Sequence, residues 1–132
     1  MKRLVLFDID GTLLTANGAG ARAVRDAMME VYGETGAIGK YNMGGRTDPQ
    51  IVRELLTPSG WALEDVEAGL ERLWEAYLRN LRVEVTRAPV RPFPGVPELL
   101  DRIEASGDPT VLGLLTGNVM EGARVKVDAA GL

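Results

Sequence analysis

Asp8 and Asp10 stand one residue apart in the stretch Leu6-Phe7-Asp8-Ile9-Asp10-Gly11-Thr12, directly after a short apolar run. Side chains alternate between the two faces of a strand, so both carboxylates can leave the strand end on one side and diverge where Gly11 lets the chain turn. That arrangement suits covalent phosphoryl chemistry, in which one carboxylate attacks phosphorus and the other moves protons. A calcium-binding EF-hand loop also opens Asp-x-Asp. It requires glycine at its sixth place and glutamate at its twelfth, and these places hold Leu13 and Ala19. A turn or helix cap near a strand end is the other use of aspartate here.

Composition narrows the partners of these acids. The 132 residues are 45% hydrophobic and 26% charged, as expected of one ordinary globular domain. A net charge of −4 and a pI near 4.9 disfavour binding to nucleic acid or to an anionic membrane surface, leaving a small molecule as the expected partner. Cysteine and histidine are both absent, which excludes disulfides, thiolate metal sites, cysteine nucleophiles and histidine-based triads. Acids, bases and metal ligands must therefore be carboxylates, hydroxyls, lysine or backbone. Met1-Lys2-Arg3 resembles the start of a signal peptide, but the apolar run behind it, Leu4 to Phe7, is too short to be one, and no span reaches membrane length. A cytoplasmic protein is expected.

The elements that must position the two aspartates follow from periodicity. Residues 2–8 read as a strand buried on both faces, as in a parallel sheet. Ala23, Val24, Ala27, Met28, Val31 and Tyr32 repeat at helical spacing up to Gly33. Residues 34–46 are glycine-rich and read as a loop. Asp48-Pro49 predicts a helix start with Asp48 as N-cap, and Ile51, Val52, Leu55 and Leu56 form its stripe. A third, longer helix carries Val66, Leu70, Leu73, Trp74, Tyr77 and Leu81; with Trp61, its Trp74 and Tyr77 are expected to serve the helical core. Pro89 to Pro97 holds four prolines and a glycine and reads as a rigid connector. A short helix around Leu99, Leu100 and Ile103, a second buried strand from Thr110 to Leu115, and a last helix from Val119 to Ala130 complete the order. Gly18-Ala19-Gly20 lies too far beyond the first strand to be a dinucleotide fingerprint and reads as a hinge.

Asp8-x-Asp10-Gly11-Thr12-Leu13 after one strand and Thr116-Gly117-Asn118 after another resemble the first two motifs of the haloacid dehalogenase-like hydrolase superfamily, most closely its phosphoglycolate phosphatase-like branch. The resemblance implies an α/β fold: an incomplete Rossmann-like parallel-sheet core of residues 1–14 and 84–132, with an α-helical cap inserted at 15–83. It implies that Asp8 is the nucleophile, that Asp10 is the acid and base, and that Thr116, Gly117 and Asn118 bind the phosphoryl group. Lys126 is the candidate for the cationic third motif, with Arg124 behind it, although a solvated helix lysine is an equal reading. Gly45 and Arg46, in Gly44-Gly45-Arg46-Thr47-Asp48, match the cap loop that reaches substrate, where the arginine fork suits a carboxylate or phosphate; a surface arginine is the alternative.

By the same resemblance the cofactor is Mg²⁺, held by Asp8 and the Asp10 carbonyl, and the partner is a small phosphorylated metabolite. The expected activity is that of a Mg²⁺-dependent phosphatase working through an aspartyl-phosphate. Alternatives are a phosphomutase, or a catalytically incompetent fragment or binding module, because the acidic fourth motif is expected beyond Leu132. Two strands alone leave sheet edges uncovered, so either more chain follows or self-association covers an edge.

Overall fold

A computed structural model describes residues 1–132. Strand β1 (Arg3–Phe7) lies parallel to a strand from Thr110 to Leu114, in a register running from Arg3 opposite Thr110 to Phe7 opposite Leu114. Between these two partners the chain forms β2 (Leu14–Thr15), helices α1 (Ala19–Tyr32), α2 (Asp48–Leu56) and α3 (Leu63–Arg87), then β3 (Arg91–Pro92) and α4 (Val96–Ala105). The Thr110–Leu114 strand is thus β4, and α5 (Met120–Ala129) follows it. The fold is mixed α/β, with a small parallel sheet and helices inserted between its two strands. No helix is long and apolar enough to cross a membrane.

β2 and β3 pair antiparallel, with Leu14 opposite Pro92 and Thr15 opposite Arg91, and Phe93 N–H donates to the Leu13 carbonyl at 2.9 Å. The proline-rich connector therefore contains a strand that the pattern does not reveal, since two residues are too few to show a period of two. Residues 34–46, expected to be loop throughout, include a short 3₁₀ turn at Ile38–Lys40. α2 also starts differently. Its N-cap is Thr47, whose hydroxyl accepts from Gln50 N–H at 3.3 Å, and Asp48 is the first helical residue with its carboxylate free for other use.

The core lies among the helices and the turn after β1, with Ile9, Leu14, Met28, Leu56, Leu73 and Leu81 fully buried. The β1–β4 pair is not buried on both faces as expected. Leu4 is 65% and Val111 58% exposed, because the helices pack on the strand ends and on one another rather than over the sheet. α1 and α3 form the main helical seam. The small Ala23 and Ala27 are fully buried on α1, and α3 presents Gly69 to the Tyr32 ring, whose hydroxyl donates to the Val66 carbonyl at 2.7 Å.

The two connections into and out of the helices are tied to each other. Asn17, at φ 50°, donates through Nδ2 to the Pro89 carbonyl at 2.8 Å, and Arg22 donates to the Asn17 carbonyl and to Glu84 Oε2, each at 2.8 Å. Glu84 is buried against this arginine, and α3 runs unbroken past it to Arg87.

A methyl group at position 69 would sit 2.7 Å from the Tyr32 ring. Overpacking of that kind costs about 1–3 kcal/mol, against about 1 kcal/mol of helix propensity gained by alanine. Gly69→Ala is expected to lower stability by about 1 kcal/mol, and urea denaturation followed by circular dichroism checks it.

Candidate active site

Ile9 is fully buried and holds the turn after β1 in place: its carbonyl accepts from the N–H groups of Thr12, Leu13 and Leu14 at 2.9–3.3 Å. Asp8 and Asp10 flank this anchor and are exposed. Gly11, at φ 79°, takes the left-handed conformation that the tight turn requires. β4 ends alongside. Leu115 N–H donates to the Phe7 carbonyl at 2.8 Å, which brings Thr116-Gly117-Asn118 beside the two aspartates.

The two carboxylates are held differently. Asp8 Oδ1 accepts from the neighbouring Ile9 N–H at 2.8 Å, and no side chain hydrogen-bonds Asp8. Asp10 is held on both oxygens: Lys126 Nζ donates to its Oδ1 at 3.0 Å and its Oδ2 at 2.9 Å, and Asn118 Nδ2 donates to Oδ2 at 2.8 Å. Lys126 also donates to Asn118 Oδ1 at 2.7 Å, while Asn118 Nδ2 reaches Thr116 Oγ1 at 2.7 Å. Lys126 is only 5% exposed, so it is not a solvated helix lysine. Gly20 of α1 makes room for it: a methyl group there would lie 3.1 Å from Nζ. Arg124 points away into solvent toward Glu121.

The cleft around these groups has a volume of about 590 Å³ and is also lined by helix residues, among them Val24, Ile51 and Tyr77. Gly45 and Arg46 line it together with Asp48 and Tyr77. The Arg46 fork is already occupied. Nε donates to Glu54 Oε2 at 3.0 Å, Nη1 donates to the Asn42 carbonyl at 2.7 Å, and the guanidinium lies 5.1 Å from the centre of the Tyr41 ring. Tyr41 donates to the same Glu54, which Gln50 also holds. Burial, and then the bond to Glu54, push the Tyr41 phenol up to about 12, while the bonds from Tyr41 and Gln50 hold the Glu54 carboxyl below its ordinary range.

Two residues of the site escape the sequence reading. Asp48, expected to cap its own helix at the end of the Gly44–Asp48 loop, sends Oδ2 across to accept from Val119 N–H at 2.8 Å. Burial raises its carboxyl above the ordinary value, against the bond from Val119 and the charge of Lys126. Tyr77, expected in the helical core, is indeed buried, yet it lines the cleft. Burial, with Asp48 and Asp10 nearby, raises its phenol and keeps it neutral. The Asp48-Pro49 pair carries a competing helix-start signal, which hides the long-range role of the aspartate.

A family model described as haloacid dehalogenase-like hydrolase matches residues 2–132. The chain belongs to that family. This haloacid dehalogenase-like hydrolase chain resembles several solved structures in fold. CbbY from Rhodobacter sphaeroides, in complex with phosphate, is 18% identical with a TM-score of 0.58, over 98% of this chain and 57% of that one. A family IA, variant 3 hydrolase from Entamoeba histolytica is 19% identical with a TM-score of 0.61, over 100% of this chain and 56% of that one. A predicted phosphoglycolate phosphatase from Haemophilus somnus is 15% identical with a TM-score of 0.52, over 98% of this chain and 58% of that one. The chain thus spans 56–58% of the length of these structures. No curated protein matches it.

Burial, and then the hydrogen bond to Glu54, favour the neutral Tyr41 phenol, so their contribution to stability is complete below the ordinary tyrosine value near 10 and is lost as pH rises through about 12. Glu54→Gln removes the anionic acceptor. Ultraviolet titration of the tyrosines is expected to show the Tyr41 phenol titrating at lower pH in that variant, with the part of the shift due to burial retained.

Proposed function

We propose that this haloacid dehalogenase-like hydrolase is a phosphatase acting on a small phosphorylated metabolite, with Asp8 as nucleophile. The observation that carries the reading is the contrast between the carboxylates: Asp8 meets the cleft with no side-chain partner, whereas Asp10 is bound by Lys126 and Asn118. A nucleophile needs a free lone pair, and a proton carrier needs fixed orientation. One Asp8 oxygen attacks phosphorus, the ester oxygen leaves, and Asp10 supplies its proton. Water, losing a proton to Asp10, then attacks phosphorus and releases phosphate and the Asp8 carboxylate.

Thr116 Oγ1, the Gly117 N–H and Lys126 are the groups proposed to hold the phosphoryl oxygens, with Asn118 orienting Lys126 and Thr116. Residues 15–83 act as the cap that excludes water, and 1–14 with 84–132 as the core. Gly45 and Arg46 belong to the cap's substrate face, and a substrate anion that recruits Arg46 must compete with Glu54 for it.

The donor set also bears on Mg²⁺. The Asp8 carboxylate and the Asp10 carbonyl are hard oxygen donors that fit this ion and would hold it together with water, phosphate or further carboxylates. No group of three or more acidic side chains converges here. Bound Mg²⁺ would supply charge neutralisation in a cleft lined by Asp8, Asp10 and Asp48, where Lys126 is paired with Asp10 and Arg46 with Glu54. A phosphomutase shares the first step, and transfer of the phosphoryl group to water or back to a sugar separates the two.

Asp8→Asn in the full-length protein is expected to abolish Mg²⁺-dependent release of phosphate from an aryl phosphate. Retained activity would contradict the assignment.

A further inference from the structure

Helix α5 opens without a capping side chain of its own, because its N-cap residue is Val119. Its N-terminus is served from elsewhere. Asp48, 71 residues earlier in the chain and at the start of α2, accepts the Val119 N–H through Oδ2 at 2.8 Å. In the reverse direction, the Asp48 N–H donates to the Gly117 carbonyl at 2.8 Å. One residue of the helical module therefore makes two opposed bonds to the loop that follows β4. A carboxylate in this place also faces the positive end of the α5 dipole.

The surrounding residues are shaped for that approach. A methyl group at Gly117 would overlap the Arg46 carbonyl oxygen and come within 3.0 Å of the Thr47 and Arg46 backbones, so only glycine lets the two loops meet. Thr47 caps α2 by itself, which frees the Asp48 carboxylate from local duty. Asp48 stands between the site's charged groups, with Lys126 favouring its charge and Asp10 opposing it, and it is largely withdrawn from water. Without a hydrogen-bonded partner a carboxylate in such a place would be costly.

We infer that Asp48 is a positioning residue that docks the helical module onto the Thr116–Val119 loop, so that the wall of the cleft and its phosphoryl-binding edge move as one. The docking role stands on the contacts themselves; its effect on turnover rests on the phosphatase reading above. Opening the cleft requires both Asp48 bonds to break together, and closing it re-forms the cap of α5.

Amide hydrogen exchange measured by NMR on the full-length protein tests this. In Asp48→Ala the Val119 amide is expected to exchange at least about tenfold faster, in line with the loss of a charge-assisted bond. Asp48→Asn, whose carboxamide oxygen can still accept, should recover most of the protection, and Thr47→Ala, which removes only the cap of α2, should leave Val119 unchanged. Gly117→Ala forces the loops apart with Asp48 intact and should reproduce the Asp48→Ala result even if that variant folds poorly. Protection of Val119 retained in Asp48→Ala or in Gly117→Ala, or lost equally in Thr47→Ala, overturns the inference. Aryl phosphate turnover read on the same variants should fall about tenfold in kcat/KM for Asp48→Ala and recover in Asp48→Asn. A wild-type protein without turnover counts against the phosphatase reading, and the exchange result decides the docking role in either case.

Discussion

The buried ammonium of Lys126 is the interaction on which the rest of the site depends. Its donors go to the two Asp10 oxygens and to Asn118 Oδ1, which joins α5 to the turn after β1 and to the loop after β4. An unpaired charge in so enclosed a place would be strongly destabilising, so the three elements must arrive together or not at all. Asn118 is oriented by the same contacts, with its carbonyl toward lysine and its amide toward Asp10 and Thr116. The outcome is a division between carboxylates. Asp10 is fixed by a cation and an amide, while Asp8, two residues away, is left with a single backbone donor.

Helical packing serves the same end. Gly20 clears space for Lys126 from one side, and Gly122 of α5 lies against the Tyr77 ring of α3, so the α1–α3 pair can press close to the site. Further out, Arg22 ties Glu84 to the Asn17 carbonyl where the chain enters and leaves the helices. The Tyr41–Glu54–Arg46 group holds the rim loop, and Asp48 fastens that loop to the β4 side. These contacts act at the ends of elements rather than on the sheet faces, which is why the cleft is well formed although Leu4 and Val111 remain exposed.

Much of this arrangement was legible in the chain because its signals are local. Asp8-x-Asp10-Gly11 announces a strand end and a turn within four residues, and the apolar spacing of Ala23, Val24, Ala27 and Met28 locates α1 and its buried face. The resemblance to the family is carried by the same motif together with Thr116-Gly117-Asn118, and the family model matches residues 2–132. What a local pattern cannot carry is partner choice. Lys126 reads equally as a surface lysine until its bonds to a residue 116 positions away are seen, and Arg46 gives no sign that Glu54 will hold its fork. Asp48 misleads for the opposite reason: a plausible local role, capping α2, conceals the one it has across the cleft. The buried strands failed as an expectation because an apolar run specifies what a strand can bury, not which layer arrives to cover it.

Carboxylate engagement decides the nucleophile, so the carboxylate that carries the phosphoryl group during turnover is the quantity to measure. The full-length protein, quenched during turnover of an aryl phosphate, can be reduced with borohydride, which converts an aspartyl-phosphate to an alcohol, and the modified peptide sequenced by mass spectrometry. Modification is expected at Asp8, with Asp10 and Asp48 untouched. Modification at Asp10 or Asp48 would contradict that choice of nucleophile.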